Sequence, residues 1–340
     1  MKRVLQGVIG VALSLGLLWL SFRGVDWEAA YATMARVPWW VYVAYVAQLY
    51  ATYFFRTWRW QLQVEKLTGR SLPFGDAFAI CSVSFAGTFL LPFRLGEFIR
   101  PVLISAAGYG RKSAALATVA LERVVDGLVM TGVLGITLML LGNREVPAII
   151  EVGGYLALLV FGGAMAVFVA AYRWRDLSLR FWRAVLSPLG TRISEKLLGM
   201  LDAFIEGLKS LPTLRDVLVY MGLTLAYWLL NGLGMWILAY GMNLGVPVEG
   251  GFFALACLVV GITIPAGPGN VGNFEYAIQV ALKVFGVSMS DGFAYAIWTH
   301  LTQTLHMLLT AAVFLVAGKV SFRAVKVATR SDDEDRDEAA

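Results

Sequence analysis

Apolar runs of membrane-crossing length, separated by short polar segments, set the pattern of this chain. They fall near 4–22, 38–57, 113–141, 150–172, 214–241 and 291–318. About 20 apolar residues at 1.5 Å per residue cross a hydrocarbon core, so each run predicts one transmembrane helix. Two further apolar stretches, about 74–108 and 251–286, are broken near their middles by LLPFRLGEF and IPAGPGNVGNFE. Pro removes a backbone donor and Gly weakens helix, so no straight helix runs through either segment. Non-helical backbone at membrane depth persists only when buried in protein or beside a wet cavity. Each stretch is either two short crossings or a re-entrant pair of half-helices. The halves hold only roughly 12–18 residues, which favours the re-entrant hairpin.

Charge placement adds orientation. The segment 173–213 and its border carry Arg173, Arg175, Arg180, Arg183, Arg192, Lys196, Lys209 and Arg215. Lys2 and Arg3, the Arg56 to Arg70 loop, Arg111 with Lys112, and Lys319 to Arg330 are also basic. Loops 23–37, 142–149 and 242–250 are close to neutral. Basic loops stay cytoplasmic, so both termini are expected inside. All assignments agree when each broken stretch enters and leaves on one side, the first from the cytoplasm and the second from the opposite face. Two short crossings apiece keep the same parity. An offset of 176 places Gly75 on Gly251, Cys81 on Cys257, Pro92 on Pro268 and Gly96 on Gly272. The expected architecture is all-α: six full transmembrane helices plus two re-entrant half-helix hairpins in an inverted-topology repeat, a recurrent transporter plan. One transmembrane domain, 1–330, precedes an acidic tail, 331–340, expected to be disordered. Within the domain, 173–213 reads as cytoplasmic amphipathic helices on the leaflet surface.

Composition agrees. The chain is 59% apolar and 15% charged, whereas soluble domains carry about 25% charged residues. The net charge of +5 sits beside apolar segments and is no nucleic-acid signal. Cys81 and Cys257 lie in apolar runs without a CxxC neighbour, so they read as small buried hydrophobes. The start, Met1-Lys2-Arg3 before a long apolar run, reads as a retained first helix rather than a cleaved leader.

Candidate chemistry gathers at four places. In LLPFRLGEFIRP, Pro92 ends the incoming half-helix, Gly96 permits a turn, and the outgoing half-helix is expected to start near Glu97. Its exposed N–H groups, with Arg94 and Arg100, suit an anion, and guanidinium matches phosphate. Glu97 is available to neutralise Arg100, to accept a proton or to meet a cationic head group; a simple ion pair that fixes the turn is the competing reading. In LERVVDGL, Glu122 and Asp126 share a helical face and Arg123 lies about 100° round. Ionisable groups at membrane depth face a bundle interior or cavity, and a pairing of Arg94 or Arg100 with Glu122 or Asp126 is expected. In AGPGNVGNFEYA, Pro268, Gly269 and Gly272 form a flexible turn, Asn270 or Asn273 is placed to cap the next half-helix, and Glu275 is its carboxylate. In the last helix His300 reads as a buried neutral histidine or a proton relay; His300 and His306 are six apart, off a common face. Arg56 and Arg59 read as side chains snorkelling to the headgroups, with collection of anionic lipid as the alternative. No catalytic constellation stands out, so an enzyme is not indicated, and no cofactor or metal is implied.

FRTWRW, LLPFRLGEFIRP, LERVVDGL and IPAGPGNVGNFEYA, in that order over roughly 5–320, resemble the transmembrane-region family of lysylphosphatidylglycerol synthases, also called flippase-like or UPF0104 proteins. In larger relatives this membrane domain translocates an aminoacylated phospholipid made by a cytosolic acyltransferase-like domain; others carry glycosyltransferase domains. The chain ends at Ala340, so lysyl transfer is not expected of it. The resemblance implies a flippase or transporter in the cytoplasmic membrane for a lipid with an anionic head group, of aminoacyl-phospholipid, glycolipid or polyprenyl-phosphate type. Two alternatives stand beside it: an ion-coupled transporter of a small soluble solute, and a non-transporting partner of a separate synthase or glycosyltransferase.

Overall fold

A computed structural model describes residues 12, 14–142, 144–263 and 267–320. The side chains of Pro92, Phe93, Arg94, Leu189, Arg192 and Pro268 lie outside the description, as do the start of the predicted helix 4–22 and the acidic tail. The described residues are helical, joined by turns. Helix α1 covers 14–22 of the first predicted crossing. The loop expected at 23–37 instead holds α2, Trp27–Ala35, whose N-terminus is capped by the Asp26 carboxylate accepting from the Glu28 and Ala29 amides. Helix α3, Trp39–Thr68, continues 11 residues beyond the predicted 38–57 run. The supposed Arg56–Arg70 loop is thus helix, because nothing in it breaks the backbone before Gly69, which ends α3 at φ 64°.

The first broken stretch forms α4 (Phe74–Leu90), a 3-10 turn (Pro92–Phe98) and α5 (Ile99–Ala106). Long α6 (Lys112–Leu140) follows, then α7 (Ala148–Arg173). Helices α8 (Arg175–Leu186) and α9 (Thr191–Gly207) supply the amphipathic segment, before α10 (Leu214–Gly241). The second broken stretch forms α11 (Val248–Gly261) and α12 (Asn273–Lys283), and α13 (Met289–Val316) completes the described helices. Half-helix, break, half-helix and long helix therefore occur twice, as α4–α5–α6 and α11–α12–α13. Among the described helices, α6, α7, α10 and α13 are long and apolar enough to cross a membrane. Helix α3 has 30 residues, but Arg56, Arg59, Glu65 and Lys66 interrupt its apolar character. Helix α9 packs along α6, burying Leu198, Ala203 and Ile205, while α8 buries none of its side chains.

Burial runs opposite to that of a water-soluble protein. Arg59, Arg100 and Glu122 are 0% exposed, while Leu159 is 72% and Met139 is 83% exposed. Lipid is the medium that accepts such an apolar exterior.

Both breaks are held by close backbone approach. The Ser84 hydroxyl donates to the Gly96 carbonyl at 2.7 Å, and a Cβ on Gly96 would fall on the backbone of Gly87 and Thr88. In the second break Asn270 (φ 53°), Gly269 (φ 75°) and Gly272 (φ 88°) adopt left-handed backbone, which glycine and asparagine reach most easily. The Gly267 amide donates to the Ser14 hydroxyl of α1 at 2.7 Å. Gly269 packs against the Phe89 ring at the end of α4, so the tips of the two broken stretches meet. Gly96→Ala should therefore lower the apparent melting temperature of the detergent-solubilised protein and the folded yield on size exclusion. Gly132→Ala, whose Cβ would meet nothing within 4 Å, should stabilise by about 0.5–1 kcal/mol through helix propensity alone.

Candidate functional site

Spacing on two helices creates the centre of the molecule. Arg56 and Arg59 lie one turn apart on α3, and Glu122 and Asp126 lie one turn apart on α6, so each pair shares a face. The Glu122 carboxylate receives Arg100 at 2.8 Å, Arg59 at 3.2 Å, Arg56 at 3.3 Å and Arg123 at 3.5 Å. Asp126 takes Arg59 through both oxygens, at 2.6 and 2.9 Å, and accepts the Trp228 indole N–H at 3.0 Å. Arg59 also donates to the Thr224 hydroxyl at 3.1 Å. Thr224 and Trp228 are one turn apart on α10, which closes the network from a third helix. Arg123 reaches Glu97 at 3.4 Å.

Aromatic rings wall the guanidinia. Arg56 lies 3.9 Å above the Phe85 ring centre, Arg59 is 5.4 Å from Tyr220, and Arg100 is 5.5 Å from Trp60. Cation–π attraction adds to the ion pairs where water is excluded. The four arginines differ in access. Arg59 and Arg100 are sealed, whereas the side chains of Arg56 and Arg123 are 16% and 29% exposed. Those two border a cavity of about 480 Å³, with Glu97, Asp126, Asn270, His300 and Gln303 among its polar lining. Phe85, Phe89, Tyr227, Trp228 and Phe274 supply apolar wall.

The expected pairing of Arg100 with Glu122 is present. Arg100 itself is turned inward, and its place in the site is to hold Glu122. The reading of Arg56 and Arg59 as snorkelling side chains is corrected: α3 does not end near them, and Arg59 is fully buried in a two-point pair with Asp126. Their one-turn spacing, matching that of Glu122 and Asp126, was the available signal. The outgoing half-helix starts at Ile99, two residues after Glu97. The 3-10 turn from Pro92 runs straight into α5 at Ile99, whose N–H is already bonded to the Gly96 carbonyl, so the bare N-terminus expected there is absent. The Arg94 side chain lies outside the described residues.

At the second break neither asparagine is the cap. Gly272 occupies the N-cap, with its N–H donating to Glu275 Oε2 at 2.7 Å. Asn273 donates to the Gly261 carbonyl at 3.3 Å, tying α12 to α11. Asn270 borders the cavity. Glu275 Oε1 lies 2.5 Å from Nδ1 of His300, a pairing between α12 and α13 that spacing alone does not show. His300 stacks on Phe274 with ring centres 4.1 Å apart. Gln303, one turn beyond His300 on the last helix, donates to the Tyr45 hydroxyl at 2.7 Å and lines the cavity.

The model of the family described as "Lysylphosphatidylglycerol synthase TM region" matches residues 7–311. The chain belongs to this family. A UPF0104 membrane protein of Methanocaldococcus jannaschii is 25% identical over 224 residues, covering 66% of this chain and 90% of that one. The glycosyltransferase AglD of Haloferax volcanii is 26% identical over 274 residues, covering 72% of this chain and 42% of that protein. Family membership and the lipid-facing exterior make this a membrane protein.

Within this family member, Glu122 is the charge that makes four neighbouring guanidinia tolerable. Breaking a buried ion pair by removing one partner costs about 3–5 kcal/mol, and Glu122→Gln should destabilise by that order in denaturant titration of the detergent-solubilised protein. Arg123→Gln, at the edge of the cavity, should cost under about 1 kcal/mol.

Proposed function

We propose that the protein moves a lipid with an anionic, phosphate-bearing head group between the leaflets of the cytoplasmic membrane. In this reading the two broken stretches are re-entrant hairpins, and both chain termini face the cytoplasm. The head group occupies the cavity at the hairpin tips while its tails stay in the bilayer. The chain acts as a transporter and not as an enzyme. The half-helices α4, α5, α11 and α12 have 17, 8, 14 and 11 residues. All fall short of the ~20 needed to cross, which supports re-entry.

The observation that carries the reading is the division of labour among the arginines. Four guanidinia meet three carboxylates, Glu97, Glu122 and Asp126, among the described side chains. The surplus is positive, and the two partly exposed arginines are those that border the cavity. A guanidinium fork matches phosphate oxygens and is weakly hydrated, so it binds such a group beside lipid. The cavity volume lies within the roughly 300–1,000 Å³ of sites for small ligands. AglD, named a glycosyltransferase, supports a second reading, in which the membrane domain serves a separate glycosyltransferase or synthase without moving lipid.

Reconstitution separates the two. Protein in phosphatidylcholine vesicles with trace fluorescent phosphatidylglycerol should speed loss of inner-leaflet label from dithionite protection. Arg56→Gln and Arg123→Gln should each slow it roughly tenfold, equivalent to about 1.4 kcal/mol. Equal rates for wild type and both variants, on every lipid offered, would remove the cavity from the translocation path.

A further inference from the structure

The two repeats close in the same way with opposite chemistry. In the first, Arg100 in the opening turn of α5 reaches Glu122 near the middle of α6 at 2.8 Å. In the second, Glu275 in the opening turn of α12 reaches His300 near the middle of α13 at 2.5 Å. The first closure is a fixed-charge pair buttressed by three more arginines. The second contains an imidazole, the side chain whose charge changes between about pH 5 and 8.

The surroundings of His300 leave one reactive atom. Nδ1 is taken up by Glu275 Oε1. Nε2 is buried and has no hydrogen-bond partner among the described residues, a state that buried polar atoms rarely keep. The ring lies between Phe274, stacked upon it, and Phe89, edge-on at 5.5 Å, and it borders the cavity. The elements packed on α13 supply few other charges here. Helix α12 gives Glu275, and α4 gives Phe89. Helix α3 gives Tyr45 through Gln303, and α2 meets α13 at its first turn, where Thr33 donates to Asp291. Arg56, Arg123, Glu97 and Asp126 line other parts of the same cavity.

We propose that the Glu275–His300 pair is a proton site that loads together with the anionic head group. This rests on the translocation reading above. Nε2 takes one proton from cavity water, and the imidazolium stays paired with the Glu275 carboxylate. The pair thereby passes from one net negative charge to neutral. Its repulsion of an anion disappears, and the new Nε2–H becomes a donor for a phosphate oxygen. When the head group leaves, the proton returns to water from the same atom. Linkage requires the reverse effect: a bound anion strengthens proton binding.

The chain has two histidines, so His306→Gln leaves the His300 imidazole as the single histidine signal in ¹⁵N NMR. With the full chain in phosphatidylcholine nanodiscs at fixed pH, adding phosphatidylglycerol should raise the protonated fraction of that ring; Glu275→Gln should abolish the rise. In vesicles, movement of fluorescent phosphatidylglycerol should run roughly fivefold faster at pH 6 than at pH 8, a coupling at the low end of typical values. His300→Gln should flatten that profile while leaving residual movement. An imidazole whose protonation does not respond to the anionic lipid would overturn the proposal, as would a wild-type pH profile in His300→Gln. Protonation of His300 without any lipid movement would support the proton site and count against translocation itself.

Discussion

A carboxylate surrounded by four guanidinia, deep in a protein whose exterior is apolar, constrains most of the architecture. Glu122 cannot stand alone at that depth, because an unpaired buried charge costs several kcal/mol. Its partners come from three places in the chain: Arg56 and Arg59 on α3, Arg100 on α5 and Arg123 on α6 itself. Satisfying it therefore requires the first broken stretch to fold back until Arg100 reaches α6. It also requires α3 to stay helical past Arg59, and the Asp126 side of the network to recruit α10. The buried ion network and the break at Pro92–Phe98 are two parts of one solution.

The same constraint separates sealed from accessible charge. Arg59 and Arg100 are sealed, bound to carboxylates by two-point or close contacts, and are not among the residues that line the cavity. Arg56 and Arg123 make longer contacts, keep partial access and border the cavity. The apolar wall from Phe85, Phe89 and Phe274 keeps that space at low polarity, where guanidinium–phosphate pairing is strengthened. In the second repeat the corresponding contact joins Glu275 to His300, which borders the cavity. The repeat keeps its fold while its chemistry differs, so the cavity is asymmetric in charge although its scaffold is duplicated.

The apolar runs and the two Pro/Gly breaks were legible from sequence because they reflect local backbone physics and the length of a crossing. The family likeness followed from four short motifs in order. The reach of α3 was legible in principle: no breaker precedes Gly69, yet the basic residues invited a loop assignment. Asn270 and Asn273 looked like caps by residue type, but Gly272 holds that position because the turn there needs a left-handed backbone. The start of α5 was misplaced by two residues because the 3-10 turn absorbs Glu97 and Phe98 before α-helix begins.

Sequence by itself determined the medium, the helical class, the two breaks and the residues able to carry charge, since each follows from composition or from near neighbours along the chain. Tertiary structure decided which charges neutralise one another and which face open space. Arg59 meets Asp126 across 67 positions, and Glu275 meets His300 across 25. Such pairings are set by how helices pack, and no periodicity within one helix specifies the partner on another.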